Sequence, residues 1–463
     1  MTEPEAGGRE AARRRAPLHV QILGGLLVGA VAGIASNRLW TGDPRLDRFV
    51  ELVAQPIGQV FLRMLFMIVI PLVVTSLALG IAGLGDARRL GRIGGRTLGL
   101  FLLTTAAAAL LGLTLANLVE PGAALDAGTR ARLLAEYGEE AGTRLGAAGT
   151  FGVETLVGIV PRNPVDAAAR GDMLGVIFFT LVFAIGLTRI PAGAAAPVIR
   201  VLEGVGAAVA EMIGLAMRLA PLGVAALIFA VTARFGFELL ASLGAYVAVV
   251  LLGLAIHQFV VIPTFARVFA GVGPVEFFRR SRVLMLTAFS TSSSNATLPT
   301  TMRTAQDRFG VPPTVAGFVL PLGATLNMNG TALFEGMTVL FLAQVFGVDL
   351  SLTAQGVVVL MTILTAIGAA GVPGGSIPLL AMVLVMVGIP AEGIAIILGV
   401  DRLLDMCRTV PNVTGDLAVS LVVARAESRA ASGEQVQLPG AWPERAPATV
   451  EATGGVLVNR IGS

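Results

Sequence analysis

Long apolar runs dominate the hydrophobic pattern of the chain, and charged segments separate them. A helix crosses a bilayer with about 20 mainly apolar residues, so each run is interpreted as one membrane span. The eight predicted spans cover residues 17–36, 50–84, 94–118, 173–187, 202–233, 243–265, 313–346 and 395–423. The pattern therefore predicts an all-α, polytopic membrane protein.

Arginine residues predict which ends of the spans face the cytoplasm, because loops on that side are enriched in basic residues. Arg13, Arg14 and Arg15 precede the first span, and Arg88 follows the second. The long mixed-charge segment 120–168 then falls outside the cell. This alternation holds through the first six spans.

The segment 283–302 breaks the alternation, since it is long enough to cross but carries arginine on both sides. Its centre, residues 290–295, reads Ser-Thr-Ser-Ser-Ser-Asn, which hydrocarbon does not tolerate unless protein or water surrounds it. We interpret the segment as a re-entrant hairpin that enters from the cytoplasm and returns. A serine-rich kink in an ordinary helix is the alternative.

A second interrupted segment covers residues 357–387, where glycine and proline recur between positions 368 and 378. At that density they break a helix in lipid unless the freed backbone groups find partners. Asp349 and Glu392 flank the segment without arginine, which favours the extracellular side. Two hairpins from opposite faces, each followed by a full span, are typical of inverted repeats with a binding site at the membrane midplane.

Composition supports the membrane assignment and excludes several classes of function. Only 14% of the residues are charged and the mean hydropathy is +0.82, whereas soluble domains carry about 25% charged residues. The net charge of +3 comes from arginine without lysine, and no basic face with interleaved aromatic residues predicts nucleic-acid binding. With two histidines and one cysteine, Cys407, neither a metal cluster nor a nucleophile with its base is expected. We therefore expect neither an enzyme nor a resident cofactor.

Polar residues concentrate inside the seventh span, where Gly323, Thr325, Asn327, Asn329 and Thr331 fall within nine positions. Such a run predicts local unwinding of the helix, which frees backbone carbonyl oxygens. Carbonyl and carboxamide oxygens are the ligands that a hard cation such as Na⁺ prefers. Hydrogen bonding between helices explains one or two of these residues, but not all of them.

Ionisable residues recur along one face of the last span, and inside a membrane such residues usually mark a substrate or ion path. An arginine offers a planar donor fork to a carboxylate, whereas an aspartate holds an ammonium and an asparagine donates to a second carboxylate. The residues that share the face are Asp401, Asp405, Arg408, Asn412 and Asp416. They predict a site for an acidic amino acid, with a structural ladder of ion pairs as the alternative. Arg402 lies off this face and is expected to pair with Asp401.

Four segments resemble the signature regions of the dicarboxylate/amino acid:cation symporter family, the glutamate transporters, in its prokaryotic form. They are residues 290–299, 323–331, 371–375 and 401–416, and a weaker resemblance extends over residues 17–428. The resemblance implies eight transmembrane helices plus two re-entrant helical hairpins, arranged as inverted repeats. It also implies a homotrimer in the bacterial inner membrane, in which a transport domain moves against a scaffold like an elevator.

The same resemblance implies the domain boundaries. Residues 1–16 are expected to form a cytoplasmic N-terminal segment, and residues 429–463 a flexible cytoplasmic tail. The transporter domain between them would contain two sets of helices. Scaffold helices are expected within 17–86 and 152–236, and transport-domain helices within 87–119 and 237–428.

Positions that match the family motifs imply a role for each site residue. Arg408 would bind the distal carboxylate of the substrate and Asp405 its amino group, while Asn412 and Ser294 would bind the α-carboxylate. The other expected substrate ligands are Thr331, Thr409, Ser293 and Val372. One sodium site would be formed by Gly323, Asn327, Asn412 and Asp416, and part of a second by Thr325 and Met328.

Departures from the family pattern concern the coupling ions and access to the site. Asn329 stands where the family usually has aspartate, although Thr104 and Thr105 of that third sodium site are retained. Losing an anionic ligand weakens a hard-cation site. Glu335 lies where some eukaryotic relatives carry a protonatable glutamate, which favours proton coupling. Ser292 replaces an arginine of some prokaryotic members, so an access-controlling ion pair is expected to be missing.

The combined prediction is a secondary active symporter that takes up aspartate or glutamate together with Na⁺, H⁺ or both. Family members that carry neutral amino acids replace the arginine at position 408, and dicarboxylate carriers tend to lack the aspartate at position 405. Retention of both residues favours an acidic amino acid. A C4-dicarboxylate or neutral amino acid symporter of the same family is the alternative. An ion channel is less expected, because the polar groups converge on one spot instead of lining a pore.

Overall fold

The computed structural model describes residues 18–40, 43–82, 87–123, 128, 160–170, 173–369, 371–390 and 393–432. Within these residues every regular element is helical, as the sequence predicts. The expected N-terminal segment, most of the segment 120–168 and the C-terminal tail beyond residue 432 lie outside the described residues.

The helices of the first half are α1 (Leu18–Trp40), α2 (Pro44–Phe49), α3 (Gln55–Phe66), α4 (Val69–Ala82), α5 (Ala87–Val119), α6 (Pro164–Arg170), α7 (Met173–Arg189) and α8 (Ala192–Phe235). The second half contains α9 (Phe237–Ile256), α10 (Ile262–Phe265), α11 (Pro274–Thr291), α12 (Ser294–Arg303), α13 (Pro313–Leu326), α14 (Asn329–Phe346), α15 (Leu352–Gly368), α16 (Ile377–Met386) and α17 (Ile394–Ser432). Turns of π-helix connect or extend some of them, at Val50–Ala54, His257–Val261, Ala266–Ala270 and Thr304–Arg308.

Five helical stretches of the described chain are long and apolar enough to cross a membrane. They are Val20–Trp40, Pro44–Ala82, Ile93–Val119, Ala192–Phe235 and Leu240–Ala270. The other three predicted spans differ for physical reasons: α7 is short, residues 313–346 are split into two helices, and α17 carries several charged residues. The count of eight crossings stays a prediction.

The predicted interruption near residue 292 is confirmed, and the chain folds back at this point. Ser292 adopts a left-handed conformation, with φ of 49°, and ends α11. At the far end of the two helices, Arg280 Nη1 donates to the carbonyl of Arg308 at 2.6 Å. A kinked helix would hold these two residues far apart, so α11 and α12 form a hairpin, hairpin 1.

The second predicted interruption is also confirmed, between α15 and α16. Ala369 is extended and Gly374 is left-handed, with φ of 74°, before α16 begins at Ile377. We call α15, this turn and α16 hairpin 2. The tips of the two hairpins meet, because the backbone N–H of Asn295 donates to the carbonyl of Gly371 at 3.1 Å.

The seventh predicted span unwinds at Asn327 and Met328, as its polar composition predicts. Both residues have non-helical backbone angles, with ψ near 70°, and they separate α13 from α14. The unwound residues, the hairpin tips and the middle of α17 meet in the interior of the second half of the chain.

Close helix packing in the first half depends on small residues. Gly25 and Gly29 of α1 lie against the backbone carbonyls of Pro221 and Ala225 of α8, where a Cβ atom would overlap. Apolar side chains gain little from leaving lipid, so close van der Waals contact between small residues holds membrane helices together. Helices α1 and α8 thus pack with their backbones in close contact.

Candidate functional site

The site is a small cavity at the meeting point of both hairpin tips, the unwound residues and α17. Its free volume is about 10 Å³, which is the space of a single water molecule. The cavity is lined by Ser292, Ser294, Met328, Thr331, Ala369, Gly371, Val372, Ser376, Asp405, Arg408, Thr409 and Asn412. The structure therefore brings together seven of the eight predicted substrate ligands, all except Ser293.

Arg408 is the central charged group of the cavity, and it is 1% exposed. Its Nη1 donates to Asp401 Oδ1 at 2.8 Å, and its Nη2 lies 2.9 Å from Asp405 Oδ1. The guanidinium also stacks over the ring of Phe334, 4.2 Å from the ring centre. A buried charge needs such compensation, because removal from water costs several kcal/mol for an ion.

Asp405 accepts from three directions at once. Besides Arg408, Arg402 Nη1 lies 3.3 Å from its Oδ2, and the backbone N–H of Gly374 in hairpin 2 donates to Oδ2 at 3.1 Å. The expected pairing of Arg402 with Asp401 is wrong. Asp401 forms its ion pair with Arg408, and Arg402 pairs with Asp405, which lies three residues further along the helix.

Asp401, Arg402, Asp405 and Arg408 form a ladder of ion pairs, which is the alternative prediction for this face of the helix. Two arginines and two aspartates give the buried set no net charge. An anionic group on Arg408 together with a cationic group on Asp405 would leave the set neutral, with the displaced Asp401 and Arg402 available to each other. The ladder is therefore compatible with a site for a ligand that carries both charges.

Asn412 connects α17 to the first turn of α14. Its Oδ1 accepts from the backbone N–H of Gly330 at 2.7 Å, and its Nδ2 donates to Thr331 Oγ1 at 3.3 Å. The first backbone N–H groups of a helix lack partners within the helix, and Asn412 supplies one from a neighbouring helix. This amide group thus aligns the start of α14 with the cavity.

The hairpin serines have different surroundings. Ser294 is buried and lines the cavity, whereas the hydroxyl of Ser293 donates to the carbonyl of Gly371 and accepts from the N–H of Ala296. Ser293 therefore links the two hairpin tips in this conformation instead of facing the cavity. Thr409 also lines the cavity, and its hydroxyl donates to the carbonyl of Asp405 at 2.7 Å.

The predicted residues of the first sodium site converge beside the cavity. Asn327 Nδ2 donates to Asp416 Oδ1 at 2.8 Å, and a Cβ atom on Gly323 would overlap the Asp416 carboxylate. Glycine is therefore required at position 323 for this close approach. Of the predicted second site, Met328 lines the cavity, and Thr325 Oγ1 donates to the carbonyl of Leu322 at 3.0 Å.

The predicted third sodium site is assembled in space but has no carboxylate at Asn329. Thr105 Oγ1 donates to Asn329 Oδ1 at 3.0 Å, and Thr104 Oγ1 donates to Asn327 Oδ1 at 3.1 Å. All four side chains are buried. Among the described residues, Asn329 Nδ2 has no hydrogen-bond partner. The oxygens of Asn329, Thr104 and Thr105 are neutral, and the nearby carboxylate belongs to Asp416.

Glu335 is fully buried in α14 and connects it to the first arm of hairpin 2. Its Oε2 accepts a hydrogen bond from Thr365 Oγ1 of α15. Its Oε1 has no hydrogen-bond partner within the described part of the chain. Arg408 is close enough to interact electrostatically with this carboxyl group. Glu335 is therefore a protonatable group that contacts an arm of hairpin 2 and lies within electrostatic range of Arg408.

Comparison with known proteins decides the family. The sequence pattern of the sodium:dicarboxylate symporter family matches residues 18–426, which is most of the chain. The chain belongs to this family. Its members are membrane carriers and not enzymes, so the carrier is a multi-pass membrane protein, in agreement with its apolar helices.

Three relatives of this symporter illustrate the range of the family. This chain is 38% identical to the proton/sodium-glutamate symport protein of Bacillus subtilis over 411 residues, which cover 89% of this chain and 92% of the relative. It is 36% identical to the proton/glutamate-aspartate symporter of Escherichia coli, covering 88% and 92%. It is 32% identical to a C4-dicarboxylate transport protein of Bacillus subtilis, covering 89% and 94%.

Three further polar residues of the symporter's site were not predicted as ligands. Ser292 and Ser376 line the cavity, and neither buried hydroxyl has a partner among the described residues. Asp401 holds Arg408 from one side. Asp401 shares the polar face of α17 in the sequence, but a serine beside a Gly-Gly pair carries no signal that distinguishes a ligand from a turn residue.

Proposed function

We propose that this symporter takes up aspartate or glutamate together with Na⁺, H⁺ or both, across the bacterial inner membrane. The observation that carries the proposal is the buried Arg408, which lines the cavity beside an aspartate that a cation already engages. An acidic amino acid offers the carboxylate and the ammonium that this pair can exchange for its internal partners.

Substrate binding in this proposal is an exchange of partners. The distal carboxylate of the substrate replaces Asp401 on Arg408, and its ammonium replaces Arg402 on Asp405. The exchange keeps the buried set neutral, and the displaced Asp401 and Arg402, which are neighbours in the sequence, then pair with each other. This pairing is necessary because an unpaired buried charge costs about 3–5 kcal/mol. Arg402 therefore competes with the substrate for Asp405. We propose that the Arg402–Asp405 pair controls access to the site in place of the ion pair that is expected to be missing at Ser292.

The α-carboxylate is held by hydrogen-bond donors from the hairpins and α17. Ser294 and Asn412 are the donors that the family motif implies, with Thr331 and Thr409 beside them. Ser376 adds a hydroxyl that has no other partner among the described residues. Because the cavity has room for one water molecule, its walls must move for the substrate to enter, and in this proposal hairpin 2 is the part that moves. Val372 belongs to its tip.

The finer architecture is proposed on the same basis: eight crossings, two re-entrant hairpins, inverted repeats and an elevator motion in a homotrimer. Helix contacts support the division into scaffold and transport domains at the boundaries given above. Helices α1 and α3 pack on α8 and α4 packs on α7, whereas α5 packs on α14 and both α11 and α13 pack on α17.

Coupling to fewer sodium ions, or to protons, follows from two buried side chains. Asn329 leaves the predicted third sodium site without its own carboxylate, and Glu335 supplies a protonatable group next to hairpin 2. The sites formed by Gly323, Asn327, Asn412 and Asp416 and by Thr325 and Met328 are retained for Na⁺.

A C4-dicarboxylate is the second candidate substrate, because a dicarboxylate carrier is among the relatives. Such a substrate lacks an ammonium group, so it would leave Asp405 facing a second anion unless Arg402 stayed in place. This competition favours the amino acid over the dicarboxylate.

Uptake into proteoliposomes by the purified full chain tests the proposal. Labelled aspartate, glutamate and succinate are offered with Na⁺, pH and K⁺ gradients imposed one at a time. We expect aspartate or glutamate to accumulate with a cation gradient and to exchange with unlabelled substrate. Preferential accumulation of succinate would favour the dicarboxylate alternative, and a flux without exchange would favour a channel.

A further inference from the structure

A second cavity lies between the charged ends of the two arms of hairpin 1, at the opposite end from the tip. Its volume is about 520 Å³, within the range of small-molecule sites. Five arginines and one aspartate line it, with three arginines on α11 and the others on α12 and the π-helical turn that follows. The charged lining residues are Arg279, Arg280, Arg282, Arg303, Asp307 and Arg308. In the sequence, the arginines of α11 indicate only that this end of the hairpin faces the cytoplasm.

Arg280 is occupied by structural contacts. It pairs with Glu276 at 2.8 Å, donates to the carbonyl of Arg308 at 2.6 Å, and lies 5.7 Å from the ring centre of Phe309. These contacts fix the distance between the two arms at the mouth of the cavity.

The other four arginines differ from Arg280, since none makes an ion pair among the described residues. They are Arg279, Arg282, Arg303 and Arg308. Five arginines and one aspartate give the lining a charge of +4, and the pairing of Arg280 with Glu276 reduces it to +3. Like charges held around one cavity repel, and a bound anion relieves that repulsion. Guanidinium groups bind phosphate oxygens in a bidentate manner, which makes phosphate the best-matched anion.

An apolar stripe continues from the mouth of the cavity along α11. Val283 lines the cavity and is 56% exposed, and Leu286 and Phe289 follow at helical spacing with 68% and 38% exposure. A ligand that contacts both regions has an anionic head and an apolar body. Basic pockets at the cytoplasmic end of membrane helices suit the headgroups of anionic lipids.

We propose that this cavity binds the phosphate of an anionic phospholipid, whose acyl chains lie along Val283, Leu286 and Phe289. Arg282 and Arg303 contact the phosphate from separate arms, so the bound lipid bridges the base of hairpin 1. The site is separate from the substrate cavity and does not depend on which substrate is carried.

Native mass spectrometry of the purified full chain tests this site with dioleoyl phosphatidylglycerol, and with dioleoyl phosphatidylcholine for comparison. We expect the wild-type chain to retain phosphatidylglycerol preferentially. The double variant Arg282→Gln, Arg303→Gln is expected to bind it about 25-fold more weakly, about fivefold for each arginine removed. Arg267→Gln removes an exposed arginine that does not line the cavity, and is expected to bind as the wild type does.

Both substituted side chains are exposed, and each single variant is measured as well in case the double variant misfolds. Equal retention of the two lipids would overturn the proposal, and so would unchanged binding by the single variants or an equal loss in Arg267→Gln. Inorganic phosphate provides the remaining comparison. If millimolar phosphate displaced the lipid from the wild type, the site would belong to a soluble phosphate compound instead.

Discussion

Arg408 is the residue on which the substrate assignment depends, since it is buried between two carboxylates in the wall of the cavity. We predict that Arg408→Thr weakens aspartate binding at least about a hundredfold, because the loss of one partner from a buried ion pair costs about 3–5 kcal/mol. Isothermal titration of the purified chain with aspartate measures the loss. A neutral amino acid is offered in parallel, since the cavity then lacks its fixed cation.

Two controls separate this effect from a general loss of stability. The double variant Arg408→Thr, Asp401→Asn removes the carboxylate that Arg408 would leave unpaired, so it should fold better than the single variant while still failing to bind aspartate. Arg170→Gln breaks an exposed ion pair with Asp166 and should leave binding unchanged. Aspartate affinity that survived in either Arg408 variant would contradict the assignment.

Asn329 is the second residue with a predictable substitution, because its carboxamide replaces a carboxylate in an otherwise assembled cluster. We predict that Asn329→Asp lowers the half-saturating Na⁺ concentration for uptake by about tenfold, since ligand charge sets the affinity of hard-cation sites. The hydroxyl of Thr105 already points at this position, 3.0 Å away. Uptake of labelled aspartate over a Na⁺ series measures the change.

The matched control is Asn117→Asp, the same chemical change at an exposed residue that pairs with Gln355. It should leave the Na⁺ dependence of uptake unchanged. An unchanged Na⁺ dependence in Asn329→Asp as well would show that this cluster takes no part in sodium coupling.

At the scale of the elements, the turn of hairpin 2 connects backbone conformation to the site. Gly374 has φ of 74° and donates its N–H to Asp405 at 3.1 Å. We predict that Gly374→Ala costs about 1–2 kcal/mol from the left-handed conformation and also reduces aspartate affinity, because the donor to Asp405 shifts. Thermal unfolding and aspartate titration of the same preparation separate the two effects.

Gly347→Ala provides the comparison, since Gly347 has φ of 66° at the exposed end of α14, away from the cavity. It should lose similar stability and keep its aspartate affinity. If both variants lost affinity equally, the turn of hairpin 2 would have no specific role in binding.

The breaks between elements could be predicted from sequence because each one has a local cause. Ser292 ends α11 and Ser293 caps the start of α12, glycine and proline end α15, and the polar run at 323–331 unwinds before α14. The contacts across the breaks could not be predicted, since they depend on packing. Ser293 matches a substrate ligand of the family, yet its hydroxyl bonds to Gly371 of the other hairpin.

The ion pairs of α17 show the same division between local pattern and packing. The 4-3-4-4 spacing placed Asp401, Asp405 and Arg408 on one face, and the structure has them in contact. The partner of Arg402 was predicted wrongly because the nearest residue in sequence, Asp401, is taken by Arg408. A long side chain on a helix reaches a residue three or four positions away, and the sequence does not indicate which competitor wins.

At the scale of the whole molecule, Glu335 is placed to connect ion coupling to the movement of a hairpin. It lies between Arg408 and Thr365 of α15. We predict that Glu335→Gln, which keeps the shape and cannot release a proton, abolishes aspartate accumulation driven by a pH gradient that is acid outside. Exchange of labelled for unlabelled aspartate across a membrane with no gradient should continue, because exchange requires no net movement of protons.

Measuring both accumulation and exchange distinguishes a loss of proton coupling from a general loss of folded protein. A variant that only misfolds loses both activities, whereas loss of a proton site removes the first and retains the second. Glu120→Gln changes an exposed glutamate and should behave as the wild type does in both assays. If Glu335→Gln still accumulated aspartate on a pH gradient alone, protons would have to be carried elsewhere. If the wild type ignored the pH gradient and responded only to Na⁺, Glu335 would be a structural partner of Thr365, and sodium would drive the carrier through the sites at Asp416 and Met328.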